Sequence, residues 1–283
     1  MTTPYALARQ LTKDDRGVRN GLVDPSWHQG RGAFGGLLAA MTLAAMAEDL
    51  KRSAIPDGAN DAERIPRSLT VHFCAPASGA IALTTEIVRV GSRVAHATAR
   101  IANEKGVTTI ASASFCKDRP RADGGDRYLV ATMPVVESAA NVPELRLAGV
   151  PGIAEFFQHV DARFCGPITP FSSAKEARLA AWVRLREPAL LDAPLAALLL
   201  DSLPPAVTAT FGMPRPVASV DFTIHFFSRF AGAPGALTIA NDEHQLVTIR
   251  SRWADDGYTE ELRELWSPRG ELLAQCRQLI ALL

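Results

Sequence analysis

Apolar and polar positions alternate in two stretches of the chain that resemble each other. Residues 68–73 read Ser-Leu-Thr-Val-His-Phe and residues 221–226 read Asp-Phe-Thr-Ile-His-Phe, so that Thr70 and Thr223 are 153 positions apart. A period of two is typical of a strand with one buried face. Each stretch follows an apolar run of helical composition, 34–50 in the first half and 194–211 in the second. A helix followed by a strand, found twice, predicts one structural unit that is duplicated in the chain.

The remaining alternating segments predict an antiparallel sheet in each half. In the first half the links between successive strands are short and carry turn residues, as in a meander. Predicted strands cover 68–75, 80–90, 93–102 and 107–116, and then 156–164, 176–186, 217–230, 245–253, 258–266 and 271–282. The strand–crossover–strand spacing that a dinucleotide-binding fold requires is absent. The predicted fold is α+β, a double hot-dog in which each sheet wraps one long apolar helix. We expect a first repeat over 1–118, a linker over 119–149 and a second repeat over 150–283.

Composition excludes several classes of function. Apolar residues make up 47% and charged residues 21%, which is typical of a folded protein. The 30 basic and 30 acidic residues balance, so no overall field attracts nucleic acid or an anionic membrane. The longest apolar run, 33–47, is too short to span a bilayer, and the start of the chain has no secretory segment, which favours a cytoplasmic protein. Four scattered cysteines without a C-x-x-C spacing predict no metal site, and no organic cofactor is expected.

Asp201 is the first candidate for chemistry. It lies within the apolar run 198–203, where a carboxylate is costly to bury unless it is hydrogen-bonded or used in catalysis. The alternative is an acid at the end of the helix that points to solvent or caps the Pro204-Pro205 segment. We expect Asp201 to be buried.

The segments around Asp201, 218–221 and 274–278 resemble the bacterial type II acyl-CoA thioesterases, double hot-dog enzymes that hydrolyse fatty acyl-CoA. In that family an Asp on the second helix, a Thr on the next strand and a Gln on the last strand bind and activate the attacking water. The resemblance assigns these roles to Asp201, to Ser219 in place of the Thr, and to Gln278. The Phe34-Gly35-Gly36 run resembles the entrance to the family's first helix.

Each of the supporting residues has an alternative role. The backbone N–H groups of Gly35 and Gly36 could hold an oxyanion at the helix start, but glycines there also permit close helix–sheet packing. Strand alternation turns Ser219 away from the face of Phe222 unless a bulge intervenes. Gln275 is the alternative glutamine, on the opposite face of the last strand from Gln278.

The sequence therefore predicts a cytoplasmic acyl-CoA thioesterase of fatty acid metabolism that assembles as a homo-oligomer and binds neither nucleic acid nor membrane. A non-catalytic acyl-CoA or acyl-chain binding protein is the first alternative, because fold does not determine function. A hot-dog hydratase or dehydratase is the second, although such enzymes usually pair a His with an acid and neither predicted helix contains His. The chain has no G-x-S-x-G motif of a serine hydrolase.

Overall fold

Strands dominate the computed structural model, which describes residues 3–53, 64–119, 128–145, 153–233, 235–240 and 242–283. The strands are β1 (Thr12–Lys13), β2 (Arg19–Leu22), β3 (His28–Gln29), β4 (Gly32–Ala33), β5 (Ile65–Phe73), β6 (Ala80–Val90), β7 (Val94–Asn103), β8 (Gly106–Cys116), β9 (Val160–Phe164), β10 (Arg178–Leu185), β11 (Val217–Ser219), β12 (Asp221–Phe226), β13 (Gln245–Asp255), β14 (Tyr258–Trp266) and β15 (Leu272–Leu282). Thirteen of them form one sheet in the order β1-β2-β6-β7-β8-β5-β12-β15-β14-β13-β10-β9, with β11 also paired to β15. Its neighbouring strands run antiparallel, and β3 and β4 pair separately.

Two buried helices pack against each other inside this sheet, α2 (Gly35–Arg52) and α3 (Ala193–Asp201), while α1 (Pro4–Ala8) is short. α3 begins where the Asp192 side chain accepts a hydrogen bond from the N–H of Leu195, 2.7 Å away. The predicted continuation of this helix to residue 211 is wrong, because α3 ends at Asp201 shortly before Pro204-Pro205 and a 3₁₀ turn follows over Ala206–Thr210.

The two repeated stretches pair with each other at the centre of the sheet. In the β5–β12 ladder Thr70 lies opposite Thr223, and the two side-chain oxygens are 3.3 Å apart. Because the partners are equivalent residues of the repeat, a pseudo-twofold axis passes between them. His72 and His225 are both exposed, on the face of the sheet away from the helices. The predicted double hot-dog is confirmed.

Part of the predicted linker covers the second half of the sheet. Met133 and Val136 pack against a small cluster around Trp182 and Trp266, on the face opposite the helices. The indole N–H of Trp182 also donates to the carbonyl of Glu137 over 2.8 Å. Of the predicted linker, residues 120–127 and 146–149 lie outside the described residues.

Some predicted elements need correction. The segment predicted as a strand from residue 156 begins with a 3₁₀ turn, Glu155–His159, and β9 starts only at Val160. The predicted strand over 217–230 is divided into β11 and β12. β1 and β2, at the edge of the first half, were not predicted. The apolar segment Ala193–Thr210 has the length and hydropathy of a membrane span, but 83% of it is buried inside the protein, as in a core helix.

Candidate active site

Asp201 lies where the end of α3 meets the start of α2. Its side chain is buried, which rules out the solvent-facing alternative. The backbone N–H of Gly36 hydrogen-bonds the carboxylate, so that the positive end of α2 faces the acid. At Gly35 an added Cβ would lie 2.8 Å from Asp201 Oδ2 and 2.9 Å from the ring of Phe73. A residue larger than glycine there would push the carboxylate out of its position.

Gly36 also permits close packing, which was the alternative role of both glycines. A Cβ at this position would come within 2.5 Å of the Phe34 ring and 2.9 Å of the carbonyl oxygen of Leu198. The two glycines therefore let the first turn of α2 touch α3 directly. Packing and the contact with Asp201 are two results of the same close approach.

Two charged residues of β14 complete the surroundings of Asp201. Arg263 is fully buried, and its Nη1 lies 3.7 Å from Asp201 Oδ1. The same guanidinium donates through Nη1 to the carbonyl of Leu200 (2.8 Å) and through Nε to Glu261 (2.6 Å), which is itself fully buried. Sequence reasoning missed both Glu261 and Arg263.

Gln278 joins this network through Glu261. The Gln278 Nε2 donates to Glu261 Oε1 over 2.5 Å, and its Oε1 accepts from the Ser219 hydroxyl over 3.5 Å. The second oxygen of Glu261 accepts the N–H of Ala206 over 2.7 Å. Asp201, Gln278 and Ser219, the three residues predicted from the sequence, are thus linked through Glu261 and Arg263.

A bulge decides the orientation of Ser219. In the pairing with β15, Ser219 lies opposite Ile280 and Thr223 lies opposite Arg277, so β11 and β12 contain one residue more than their partner over this span. Val220 at the break is exposed. The extra residue reverses the strand alternation and turns Ser219 towards Gln278.

Gln275, the alternative glutamine, lies on the opposite face of β15. It is paired with His225 and Glu264 and is only partly buried, whereas Gln278 is 1% exposed. Gln278, and not Gln275, therefore lies on the buried face of β15, as expected from the strand alternation.

Burial dominates the electrostatics of the site. It raises the pKa of Asp201 to about 7, although the guanidinium of Arg263 and the N–H of Gly36 pull that pKa down while Glu261 pushes it further up. Burial would lower the pKa of Arg263, but the facing carboxylates of Glu261 and Asp201 hold it above its usual value. Burial also raises the pKa of the neighbouring Cys276 thiol well above its usual value, which keeps it protonated and a poor nucleophile.

The two carboxylates differ in how fully they are hydrogen-bonded. Glu261 accepts from three donors, on Arg263, Gln278 and Ala206. Among the described residues, Asp201 has the N–H of Gly36 and the longer contact with Arg263. Since an ionised carboxylate has about four acceptor positions, Asp201 keeps room to bind a water and take its proton. Glu261 is suited instead to hold its neighbours in place.

An apolar cavity of about 550 Å³ adjoins this network. It is lined by Pro205, next to the Ala206 N–H, and by Val217, two residues before Ser219 on the same strand. Phe156 is a further lining residue, and its ring stacks on that of Phe34 with centroids 3.8 Å apart. The volume lies in the range of small-molecule sites. No cluster of three or more metal-ligating side chains occurs among the described residues.

Comparisons with known proteins place the chain in a family. The model of the acyl-CoA thioesterase N-terminal domain matches residues 23–116, and that of the C-terminal domain matches residues 132–282. A comparison with curated protein sequences gives no match.

Among solved structures, a conserved hot-dog protein from Alicyclobacillus acidocaldarius is 27% identical with a TM-score of 0.84, over 100% of this chain and 99% of that one. A protein assigned as thioesterase II from Thermobifida fusca is 19% identical with a TM-score of 0.77, over 100% and 98%. An acyl-CoA thioesterase II from Mycobacterium marinum is 18% identical with a TM-score of 0.71, over 99% and 98%. The Thermobifida fusca and Mycobacterium marinum structures show that the fold is shared. The matches to the two domain models show which family the chain belongs to. The chain belongs to the acyl-CoA thioesterase family of double hot-dog proteins.

Proposed function

We propose that this protein hydrolyses the thioester bond of acyl-CoA, with Asp201 as the general base. The observation that carries the proposal is the state of Asp201, a buried carboxyl with a pKa of about 7 and open acceptor positions. A general base works best when its pKa lies near the operating pH, because it is then both ionised and basic. Family membership supports thioesterase chemistry in general, and the assignment of residues is the further step proposed here.

In the proposed reaction, a water held by Asp201 attacks the thioester carbonyl carbon while Asp201 takes one of its protons. The resulting tetrahedral intermediate collapses by breaking its carbon–sulfur bond, and the proton on Asp201 passes to the departing sulfur. The products are a carboxylic acid and the free thiol of CoA. No oxidant, metal or further reactant is needed.

Gln278 and Ser219 would orient this water. Because the Gln278 Nε2 is already bonded to Glu261, its carbonyl oxygen is the end that faces Ser219 and would accept from the water. Glu261 therefore acts as a positioning residue, which fixes the side-chain amide of Gln278 in one of its two orientations. Arg263 supports both carboxylates, since removal of this cation would leave two buried acids side by side.

The first turn of α2 would stabilise the negative charge that develops on the carbonyl oxygen. Gly35 and Gly36 lie at the positive end of this helix, where backbone N–H groups have no partner within the helix. The N–H of Gly36 bonds to Asp201 in this structure. Its use as an oxyanion donor would thus require an exchange of partners when Asp201 takes the proton and loses its charge.

The cavity beside the network would hold the acyl group. Its lining includes Phe156, Phe157, Phe164 and Phe171, which offer an apolar, aromatic surface. Burial of each CH₂ of an acyl chain there would contribute about 0.8 kcal/mol. A non-catalytic acyl-CoA binding protein would use the same cavity. A hydratase would need a His, and no His takes part in the described hydrogen bonds of Asp201, Glu261, Arg263, Gln278 and Ser219.

Release of free thiol from a series of acyl-CoAs by the purified protein tests the proposal. Asp201→Asn should lower kcat by about two to four orders of magnitude, the usual contribution of a general base, while the affinity for acyl-CoA changes much less. Asp192→Asn is the matched control, since it makes the same change at the other end of α3, where Asn caps a helix as well as Asp. Binding without thiol release by the wild type would favour the binding protein.

A further inference from the structure

A second cleft has a volume of about 460 Å³. It is lined by the start of β10 and the residues just before it, by the end of β13 and by the 3₁₀ turn after α3. Its described lining carries four cations, Lys175, Arg178, Arg250 and Arg252, and one acid, Glu176. Basic and acidic residues are equal in number over the whole chain, so this excess of positive charge is local. A basic cleft in a protein without net charge indicates an anionic ligand.

Most of this positive charge has no ion-pair partner among the residues that the structure describes. Arg178 and Arg250 lie directly opposite each other in the β10–β13 ladder, an arrangement that destabilises a sheet when both residues carry the same charge. Arg178 forms an ion pair with Glu176 at 2.9 Å. Within the described part of the chain, no acid forms an ion pair with Lys175, Arg250 or Arg252. An anion bound between these side chains would remove the repulsion.

An aromatic side chain adds a second requirement on the ligand. Trp253 lies in the same cleft, next to a bulge in β13, and is 48% exposed. A half-exposed indole provides a flat surface on which a nucleic-acid base can stack. Arginine side chains bind phosphates through two parallel N–H groups, better than the point charge of a lysine. Aromatic surface and arginines together fit a phosphorylated nucleoside better than a simple carboxylate.

The cleft is connected to the candidate active site through one short segment. Val207 and Thr210 line the cleft, while Ala206 donates its N–H to Glu261. Val207 is six residues beyond Asp201, and six extended residues span at most about 22 Å. A ligand with an anionic nucleotide on a long flexible arm could therefore occupy the cleft and still present its other end to Asp201.

We propose that this cleft binds the phosphorylated adenosine end of coenzyme A, with Arg250 and Arg252 on the phosphates and Trp253 against the adenine. The proposal rests on the proposed function, since it names the place where the nucleotide of the same substrate docks. In this proposal the cleft contributes to the affinity for the substrate, and the residues around Asp201 carry out the chemical step.

The double variant Arg250→Gln/Arg252→Gln tests the proposal, because both side chains are exposed and neither has an ion-pair partner in the described segments whose loss would affect folding. The substrates are a CoA thioester and the pantetheine thioester of the same acyl group, which lacks the nucleotide. We expect KM for the CoA thioester to rise roughly ten- to hundredfold, with kcat and the pantetheine reaction unchanged. Arg100→Gln, an exposed arginine of β7, is the matched control and should change neither reaction.

Calorimetric titration with adenosine 3′,5′-bisphosphate gives a readout that does not need hydrolysis. The wild type should bind this probe, more weakly at higher salt, and the double variant should bind it at least tenfold more weakly. If thioesters are hydrolysed but the double variant changes neither the KM for CoA thioester nor the affinity for the probe, the cleft proposal is overturned and the proposed function stands. Binding of the probe in the cleft without hydrolysis of any thioester supports the cleft and overturns the proposed function.

Discussion

The burial of Asp201 predicts that Asp201→Asn stabilises the protein, by an amount that increases with pH. Folding raises the pKa of this carboxyl from its ordinary value of 3.8 to about 7. Between these values the folded protein binds a proton that the unfolded chain has released, so the free energy of unfolding falls as the pH rises. Asparagine resembles the protonated carboxyl and avoids this loss.

The magnitude follows from the same two values. They differ by about 3.2, and each pKa unit corresponds to about 1.36 kcal/mol, so ionisation of Asp201 costs at most about 4 kcal/mol above pH 7. Between pH 4.5 and pH 8 the stability of Asp201→Asn relative to the wild type should increase by about 3 kcal/mol. All other titrating groups are common to both proteins and cancel in the difference.

Urea denaturation followed by circular dichroism, at both pH values, measures the effect without any substrate. Asp49→Asn is a control of opposite sign, because ion pairs with Arg19 and Lys13 hold the pKa of Asp49 below its usual value. The wild type should be more stable than Asp49→Asn by nearly the same amount at pH 4.5 and pH 8, with the difference lost only at lower pH. A stability difference for Asp201→Asn that does not change between pH 4.5 and pH 8 would refute the reasoning.

Two further predictions concern the neighbours of Asp201. Glu261→Gln should lower kcat about ten- to hundredfold with little change in KM, because Gln278 loses its fixed orientation. The control Glu260→Gln, on the outer face of the same strand, should leave both constants within about twofold. Equal effects of the two variants would contradict the positioning role. Gly35→Ala should abolish most activity, because the new methyl group displaces the Asp201 carboxylate. It should also lower the free energy of unfolding by about 1–3 kcal/mol. A fully active variant would show that the close contact is not needed.

Much of the fold followed from the sequence because its strands alternate cleanly. β6 and β14 have the predicted bounds, and the central helix of the first half was predicted to within two residues at its C-terminal end. The second helix was predicted too long because the residues after Asp201 remain apolar although Pro204-Pro205 prevents an α-helix. Composition alone does not distinguish an α-helix from a buried 3₁₀ turn.

Only part of the candidate site could be predicted from the sequence. Asp201 stood out as an acid among apolar residues, but Glu261 and Arg263 lie on a strand with charged residues on both faces. Alternation there does not reveal which face is buried. Glu261 and Arg263 share the face of Leu265, a core residue, but Leu262 makes the other face look equally apolar in the sequence. The bulge that turns Ser219 inward has no signature in the sequence around Val220.

The pseudo-twofold axis between Thr70 and Thr223 implies a second location equivalent to the candidate active site. When α2 and α3 are aligned on their first residues, the counterpart of Gly36 is Pro194 and the counterpart of Asp201 is Leu43. Both line a separate cavity of about 310 Å³. Proline has no N–H to donate and leucine has no acid, so this mirror location carries neither group at these two positions.

In a symmetric homodimer the two locations could not differ in this way, because any substitution would appear at both sites. Joining two copies in one chain allowed one helix to supply the acid and the other to supply the glycines, each free of the other's requirement. The protein is thus a covalent dimer with unequal halves, and a ligand of the Asp201 site should saturate it at one equivalent per chain.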